Sequence, residues 1–345
     1  MAARRIPHSS RLAFLIAALL ITAGCSTASP SIAPTSATTA AAPTAPPPSP
    51  TAAPAFPVTL TDDEGTTVTI AAEPRKIVSL TPDTTETLFA IGAGPRVVGK
   101  VEDIANYPPE AASIPIVARF TGVDVEQIVA LGADLVVSGG TGLTQGPAVE
   151  QLRRAKIPVI VSYPTTVDKG LAGIRLIGKA VGLSSEAAKL ADGIKTRLDK
   201  LAAIAATATT KPRVFYEIDA KGGIFTPPAD SIYGEMFRLA GSEPIGGDAN
   251  YSISLEKLVA ADPEVILLGD AVGGVTADQV KARAGWGGMT AVKQGRIAPV
   301  DDIVVTRPGP RIADGLRALI QAIHPELVLD DVVPTASPVP LATAA

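Results

Sequence analysis

The sequence predicts an α/β protein of two similar lobes joined by one long helix. Three observations carry this. Short β-branched runs alternate with helical segments, a block of the first half recurs in the second, and a single apolar helical stripe fills the segment between them.

The folded part opens with Val58 and Leu60, then Val68 and Ile70, alternating about the turn Asp62-Asp63-Glu64-Gly65, which reads as a β-hairpin. Strands at 77–80, 97–99, 135–137 and 159–161 then alternate with helices near 84–91, 125–131 and 167–181. Strands separated by helices demand crossover connections, hence parallel sheets. Asp168 is placed to cap the start of the last of these helices and Gly182 to end it. The next helix begins at Ser184 or Ser185 and runs to about 206, with Leu190, Ile194, Leu198, Leu201 and Ile204 on one face. About 20 residues at 1.5 Å each give roughly 30 Å, enough to pass from one lobe to another, although an ordinary core helix would show the same stripe.

The recurrence is visible within the chain. Val125-Glu126-Gln127-Ile128-Val129-Ala130 is matched by Leu255-Glu256-Lys257-Leu258-Val259-Ala260, with Glu, Val and Ala in register 130 positions apart. Glu86-Thr87-Leu88-Phe89 before Gly92 is echoed by Glu235-Met236-Phe237 before Gly241, and each follows a strand that starts after a basic residue, Arg75-Lys76 or Arg213. Lobes are therefore expected over 56–181 and 212–330, with 182–211 as the connecting helix. Ligands of parallel sheets bind where loops converge at the carboxyl ends of the strands, so two facing lobes make a cleft.

The termini carry a different message. Arg4, Arg5 and Arg11 flank an apolar run from Leu12 to Ala23, shorter than the roughly 20 residues that span a membrane, so 1–24 reads as a secretory leader. Ala23 and Gly24 precede Cys25, the only cysteine, in an arrangement similar to the lipobox of bacterial lipoproteins, with Thr22 where leucine is usual. Cys25 is expected to carry a lipid anchor, and no disulfide can form within the chain. From Ser26 to Ala55 only Ser, Thr, Ala, Pro and one Ile occur. The segment 25–55 is thus a tether, its 30 residues after the cysteine reaching up to roughly 90 Å at ~3.1 Å each. The tail 331–345 has similar composition and is expected to be unstructured. Loss of the leader's three arginines takes the formal charge from −4 to −7, which disfavours nucleic acid as a partner.

The chemical inventory narrows the function further. The chain has two histidines, His8 in the leader and His324, so a zinc site or a histidine-lined metal carrier lacks ligands and a Ser-His-Asp triad would rest on His324 alone. His324 follows an apolar helix and is expected to cap it. Gly140-Thr141-Gly142 with Gly146 has the wrong spacing for a dinucleotide site, and no phosphate-binding GxxxxGK[ST] motif occurs. Asp301 and Asp302 form an acid pair that reads as solvated loop carboxylates. No resident cofactor or metal is expected.

Several stretches resemble a known family: Arg75-Lys76-Ile77-Val78-Ser79-Leu80-Thr81-Pro82 with Glu86, then Asn106-Tyr107-Pro108-Pro109, then Gly122 with Glu126, and finally Pro310-Arg311-Ile312. In order and spacing they look like the periplasmic binding proteins for cobalamin and ferric siderophores. The resemblance implies two Rossmann-like lobes with parallel sheets, joined by one long rigid helix. It implies a non-enzymatic monomer, anchored on the extracytoplasmic face of the cell membrane, that delivers a metal chelate to an ABC permease and its ATPase. An α/β enzyme working in the same cleft is the alternative. Glu126 and Glu256 match the family's transporter-docking glutamates, although a glutamate near a helix start also serves the helix dipole. Phe120, Phe225, Tyr251, Asp302 and Arg307 match pocket positions, where aromatics would pack on a macrocycle or catecholate ring and Arg307 would pair with carboxylate edges. Trp286 matches a structural position. Whether the chelate is cobalamin or a ferric siderophore stays open.

Overall fold

The computed structural model describes residues 56–140 and 145–329; the leader, Cys25, the tether and the whole tail lie outside the described residues. β1 (Val58–Thr61) and β2 (Thr67–Ile70) form the expected antiparallel hairpin. The first half continues through β3 (Ile77–Ser79), α1 (Pro82–Ala90), β4 (Val97–Val101), β5 (Ile116–Arg119), β6 (Gly122–Val123), α2 (Val125–Ala130), β7 (Leu135–Ser138), α3 (Gly146–Arg154), β8 (Val159–Val161) and α4 (Val167–Ala180). After α5 (Ser184–Ala205), the second half begins with β9 (Arg213–Glu217), β10 (Ile224–Phe225), α6 (Ile232–Leu239), β11 (Glu243–Ile245), β12 (Ser252–Ile253) and α7 (Leu255–Ala261). It ends with β13 (Val265–Leu268), α8 (Ala277–Lys281), α9 (Thr290–Gln294), β14 (Ile297–Pro299), α10 (Asp302–Val305) and α11 (Ile312–Ile323).

The first sheet has the order β6-β5-β4-β3-β7-β8, parallel except for β6. The second has the order β11-β9-β13-β14, parallel throughout. The central set β4-β3-β7-β8 and the whole second sheet are one arrangement used twice. In each, the first strand lies inside, the second on one side of it, and the third and fourth on the other. The recurrence in the residues is therefore a recurrence of topology. Every residue of β3, β7, β8 and β13 is buried, which is why these strands read as unbroken apolar runs and not as alternations.

Two apolar clusters each belong to one half: Val78, Leu80, Ile128 and Val136 in the first, Phe215, Leu258, Ile266 and Trp286 in the second. A third runs without a break from Ile77 and Leu135 through Ile174, Leu198 and Leu201 to Val214, Leu267 and Leu319. The halves thus share a core. α5 packs on α4 and on α11, burying Ala187, Ala191, Ile194, Leu198 and Leu201 at helical spacing. Arg175 to Asp192 at 2.6 Å and Arg197 to Asp314 tie its flanks. Thr166, not Asp168, caps α4: its side chain accepts from the Lys169 N–H while Asp168 sits in the first turn, where negative charge suits the helix start. Gly182, at φ +77°, follows the end of α4 as expected.

The hairpin is locked to the first sheet through Asp62, whose side chain is fully buried. One carboxylate oxygen accepts from the Glu64 and Thr66 N–H groups at 3.1 and 2.8 Å. The other accepts from Val161 N–H at 3.2 Å and Arg153 Nη2 at 3.3 Å. Asp62→Ala would strand these donors, so the expected loss in urea unfolding is about 2–3 kcal/mol with an unchanged m-value.

Candidate functional site

The strand ends of both halves converge on one cleft. Thr81 and Pro82 follow β3, Gly139 follows β7, and Tyr163 follows β8; the second half contributes Tyr233, Tyr251 and Arg307 to the same cavity of about 520 Å³. A second cavity of about 480 Å³ adjoins it in the first half and shares Thr81, Pro82, Gly139 and Tyr163. Both fall in the size range of small-molecule sites. Pro82, Pro164, Pro228 and Pro308 add rigid apolar surface to the first cavity.

Each tyrosine is held by identifiable bonds. The Tyr163 N–H donates to Asp63 Oδ2 at 2.7 Å, so the hairpin turn fixes the rim of the cleft. Burial pushes the Asp63 carboxyl up, against the lowering effect of that bond. Gly140 lies beside the Tyr163 ring at φ +125°, a backbone conformation that favours glycine, and a Cβ there would stand 3.1 Å from the ring. Tyr251 occupies the left-handed region at φ 61°. The Asp248 carboxylate holds this turn by accepting from Asn250 and Ser252 N–H at 2.8 and 3.0 Å, and these bonds keep its pKa low. Tyr233 follows the α6 cap Ser231 and donates its hydroxyl to the Thr306 carbonyl at 3.3 Å. Burial raises the pKa of Tyr233, and burial followed by the neighbouring Tyr163 raises that of Tyr251. Both phenols therefore present neutral ring faces, and Tyr251 an O–H donor as well. Asp83 lines the same cavity, its carboxyl pushed up by burial.

A buried charge network closes one side of the cleft. Glu86 on α1 accepts from Arg311 Nε and Nη2 at 2.9 and 2.7 Å and from Arg307 Nη1 at 2.9 Å. Arg307 Nη2 reaches Asp103 at 2.5 Å, and the Tyr107 ring stacks on the Arg311 guanidinium at 4.0 Å. Two acids of the first half thus neutralise two arginines of the second. The recurrence explains a matching bond elsewhere: Glu235, the counterpart of Glu86, accepts from the Val167 N–H at 2.8 Å. Each of the paired glutamates reaches from its own half into the other.

On the outside, α2 and α7 are built alike. Asp124 and Ser254 cap their starts by accepting from Gln127 and Lys257 N–H at 2.9 and 3.2 Å. Lys76 Nζ donates to the Leu131 carbonyl at 3.1 Å, and Arg213 Nε to those of Ala261 and Asp262 at 3.0 Å, so basic side chains hold both helix ends. Asp134 and Glu264 in turn accept from the backbone N–H groups of Lys76 and Arg213 at 2.9 and 3.0 Å. Glu126 and Glu256 stand exposed on the first turns, with no hydrogen bond or ion pair among the described residues. One turn on, Val129 and Val259 are 48% and 37% exposed, so each helix shows a matched glutamate and valine.

Of the expected pocket residues, Tyr251 and Arg307 line the first cavity and Phe120 the second, where its ring is 88% exposed. Phe225 and Asp302 fall outside both walls. Phe225 is paired with Ser252 between β10 and β12. Asp302, far from being a solvated loop acid, accepts the buried Tyr216 hydroxyl, and burial pushes its pKa up. Arg307 faces the cavity with both terminal nitrogens already bonded. Tyr163, Tyr233 and Asp83 were not among the expected contacts; the position of Tyr163 just past a buried strand is the signal that marks it. His324 is the buried C-cap of α11, with Nε2 3.1 Å from the Gly241 carbonyl. Trp286 is buried, edge-on to Phe215 and under the Arg283 guanidinium. No helix of the described residues is long and apolar enough to cross a membrane.

Two facing α/β lobes about a cleft, bridged by a long helix, define a solute-binding architecture. The chain belongs to the Periplasmic binding protein family, whose sequence profile matches residues 77–304. It is 33% identical over 277 residues, 79% of this chain and 87% of the other, to a Bacillus subtilis protein described as an uncharacterized ABC transporter substrate-binding lipoprotein, YvrC. It is 29% identical over 287 residues, 78% of this chain and 75% of the other, to a cobalamin-binding protein of Halobacterium salinarum. Among solved structures, the apo periplasmic heme-binding protein RhuT from Roseiflexus sp. RS-1 matches with a TM-score of 0.63 at 26% identity, covering 72% of this chain and 98% of that one.

Proposed function

We propose that this chain is the lipid-anchored solute-binding protein of an ABC importer, and that it captures a metal chelate, a cobalamin-type corrinoid or a ferric siderophore, without transforming it. The observation that carries the reading is the cleft itself: tyrosines of both halves, Tyr163 on one side and Tyr233 and Tyr251 on the other, line one cavity together with four prolines. Such a wall packs on a flat ring system and lacks imidazole or thiol for catalysis among the lining residues. The family and the names of the relatives support delivery to a transporter. Cys25 supplies the anchor and 26–55 the tether that holds the binder off the membrane, while Glu126 with Val129 and Glu256 with Val259 meet the permease. A pair of like surfaces suits a twofold partner. The protein works as a monomer on the extracytoplasmic face.

Native mass spectrometry of the purified chain against corrinoids, ferric siderophores and haem tests this. A one-to-one complex with an unaltered chelate is expected, and the double change Tyr163→Ala, Tyr251→Ala should weaken it by about 30- to 100-fold. A chemically altered ligand would favour the enzyme alternative.

A further inference from the structure

Resting on the chelate-binding reading, the geometry points to net charge as the selector in this cleft: it accepts a chelate that is neutral or cationic and rimmed by amide or hydroxamate groups, and turns away one rimmed by carboxylates.

The argument is an inventory of cations. Every lysine and arginine after Arg11 lies within the described residues. Only Arg119 and Arg307 line either cavity. Arg307 spends both terminal nitrogens on Glu86 and Asp103. Taking a ligand carboxylate would pull it from two buried acids and leave them without that partner. Arg119 pairs with Glu102 at 3.5 Å on the rim of the second cavity. Lys169 donates to Thr165 at 3.1 Å but lines neither cavity. Against the two arginines stand four lining carboxyl groups, Asp83, Asp230, Glu64 and Glu102. A concave wall with this excess of carboxyl groups repels an anionic guest. The same carboxylates accept amide N–H groups, and the Tyr163 and Tyr251 phenols and the Thr165 hydroxyl, which only accepts from Lys169, serve amide carbonyls. The wall therefore discriminates in both directions, by repulsion of one periphery and by bonding to the other.

A matched pair of probes isolates the charge. The full-length chain in detergent is titrated with one cobalt corrin ring bearing amide side chains and with the same ring bearing carboxylates, in low and in physiological salt. The amide form is expected to bind at least about 100-fold more tightly. Because the cause is electrostatic, that gap should shrink as salt rises, which a shape-based preference would not do. The double change Asp83→Asn, Asp230→Asn should also narrow it by weakening repulsion of the acid form. Equal or tighter binding of the carboxylate form, or a gap indifferent to salt, overturns charge selection alone. Failure of corrins, ferric trihydroxamates and haemin all to bind would end the chelate reading and this inference with it.

Discussion

Replacing Arg311 with alanine is expected to destabilise the protein by about 3–5 kcal/mol and to loosen the cleft, because it leaves the buried Glu86 carboxylate short of its bidentate partner. Glu86 is 2% exposed and Arg311 8%, so water cannot take over the lost bonds without opening the contact between the halves. Arg311→Lys should recover only a minor part of the loss. A single ammonium cannot reproduce the planar two-nitrogen contact, nor stack on Tyr107 as the guanidinium does. Urea unfolding gives the stability, and ligand titration gives the effect on the cleft, since Arg307 in the same network lines it. An alanine variant within about 1 kcal/mol of the parent would show that the network does not hold the halves together.

The same network sets an acid limit. Burial pushes Asp103 up, but the Arg307 bonds and the Ala105 and Tyr107 N–H groups outweigh it and hold the carboxyl below its ordinary value. A depressed folded pKa contributes stability above the unfolded value of about 3.9 and loses it as the pH falls through the folded one. Stability should decline from about pH 5 downward, and Asp103→Asn should remove this share of the decline.

What was legible in the sequence follows the range of the forces involved. The hairpin, the buried strands and α5 are set by periodicities of local residues, and each could be read. The duplicated topology was legible because Glu126 and Glu256 repeat in register with their valines and alanines. The cap of α4 is ambiguous in the sequence because Thr166 and Asp168 are both able to cap; the extended backbone of Thr166, at φ −140° and ψ 163°, decides it. The network was hidden because its partners are remote: Arg307 meets Asp103 across 204 positions and Glu86 across 221, so an arginine suited to a ligand is already engaged within the chain. Asp302 was drawn to Tyr216, 86 positions away, for the same reason. Tyr163 and Tyr233 become neighbours of one cavity only when both sheets are in place.

The double change Glu126→Ala, Glu256→Ala is expected to abolish chelate uptake in cells while the purified protein binds its ligand unchanged. Both side chains lie on short outward helices, away from the walls of the two cavities, and neither is bonded within the described residues. Their removal should therefore move stability by no more than about 0.5 kcal/mol. At a permease surface the same groups would meet cations in a partly desolvated contact, where losing one partner costs about 2–5 kcal/mol. Two such losses weaken docking by at least about 1,000-fold, more than any plausible excess of binder over transporter restores. The duplicated construction makes a sharper demand. The helices share caps, basic end-contacts and an exposed valine, so the two single variants should impair uptake to a similar degree. Val129→Ser with Val259→Ser should add a smaller loss on the same face. Full uptake by the double alanine variant, or a defect confined to one single variant, would show that the importer does not read the two halves as a pair.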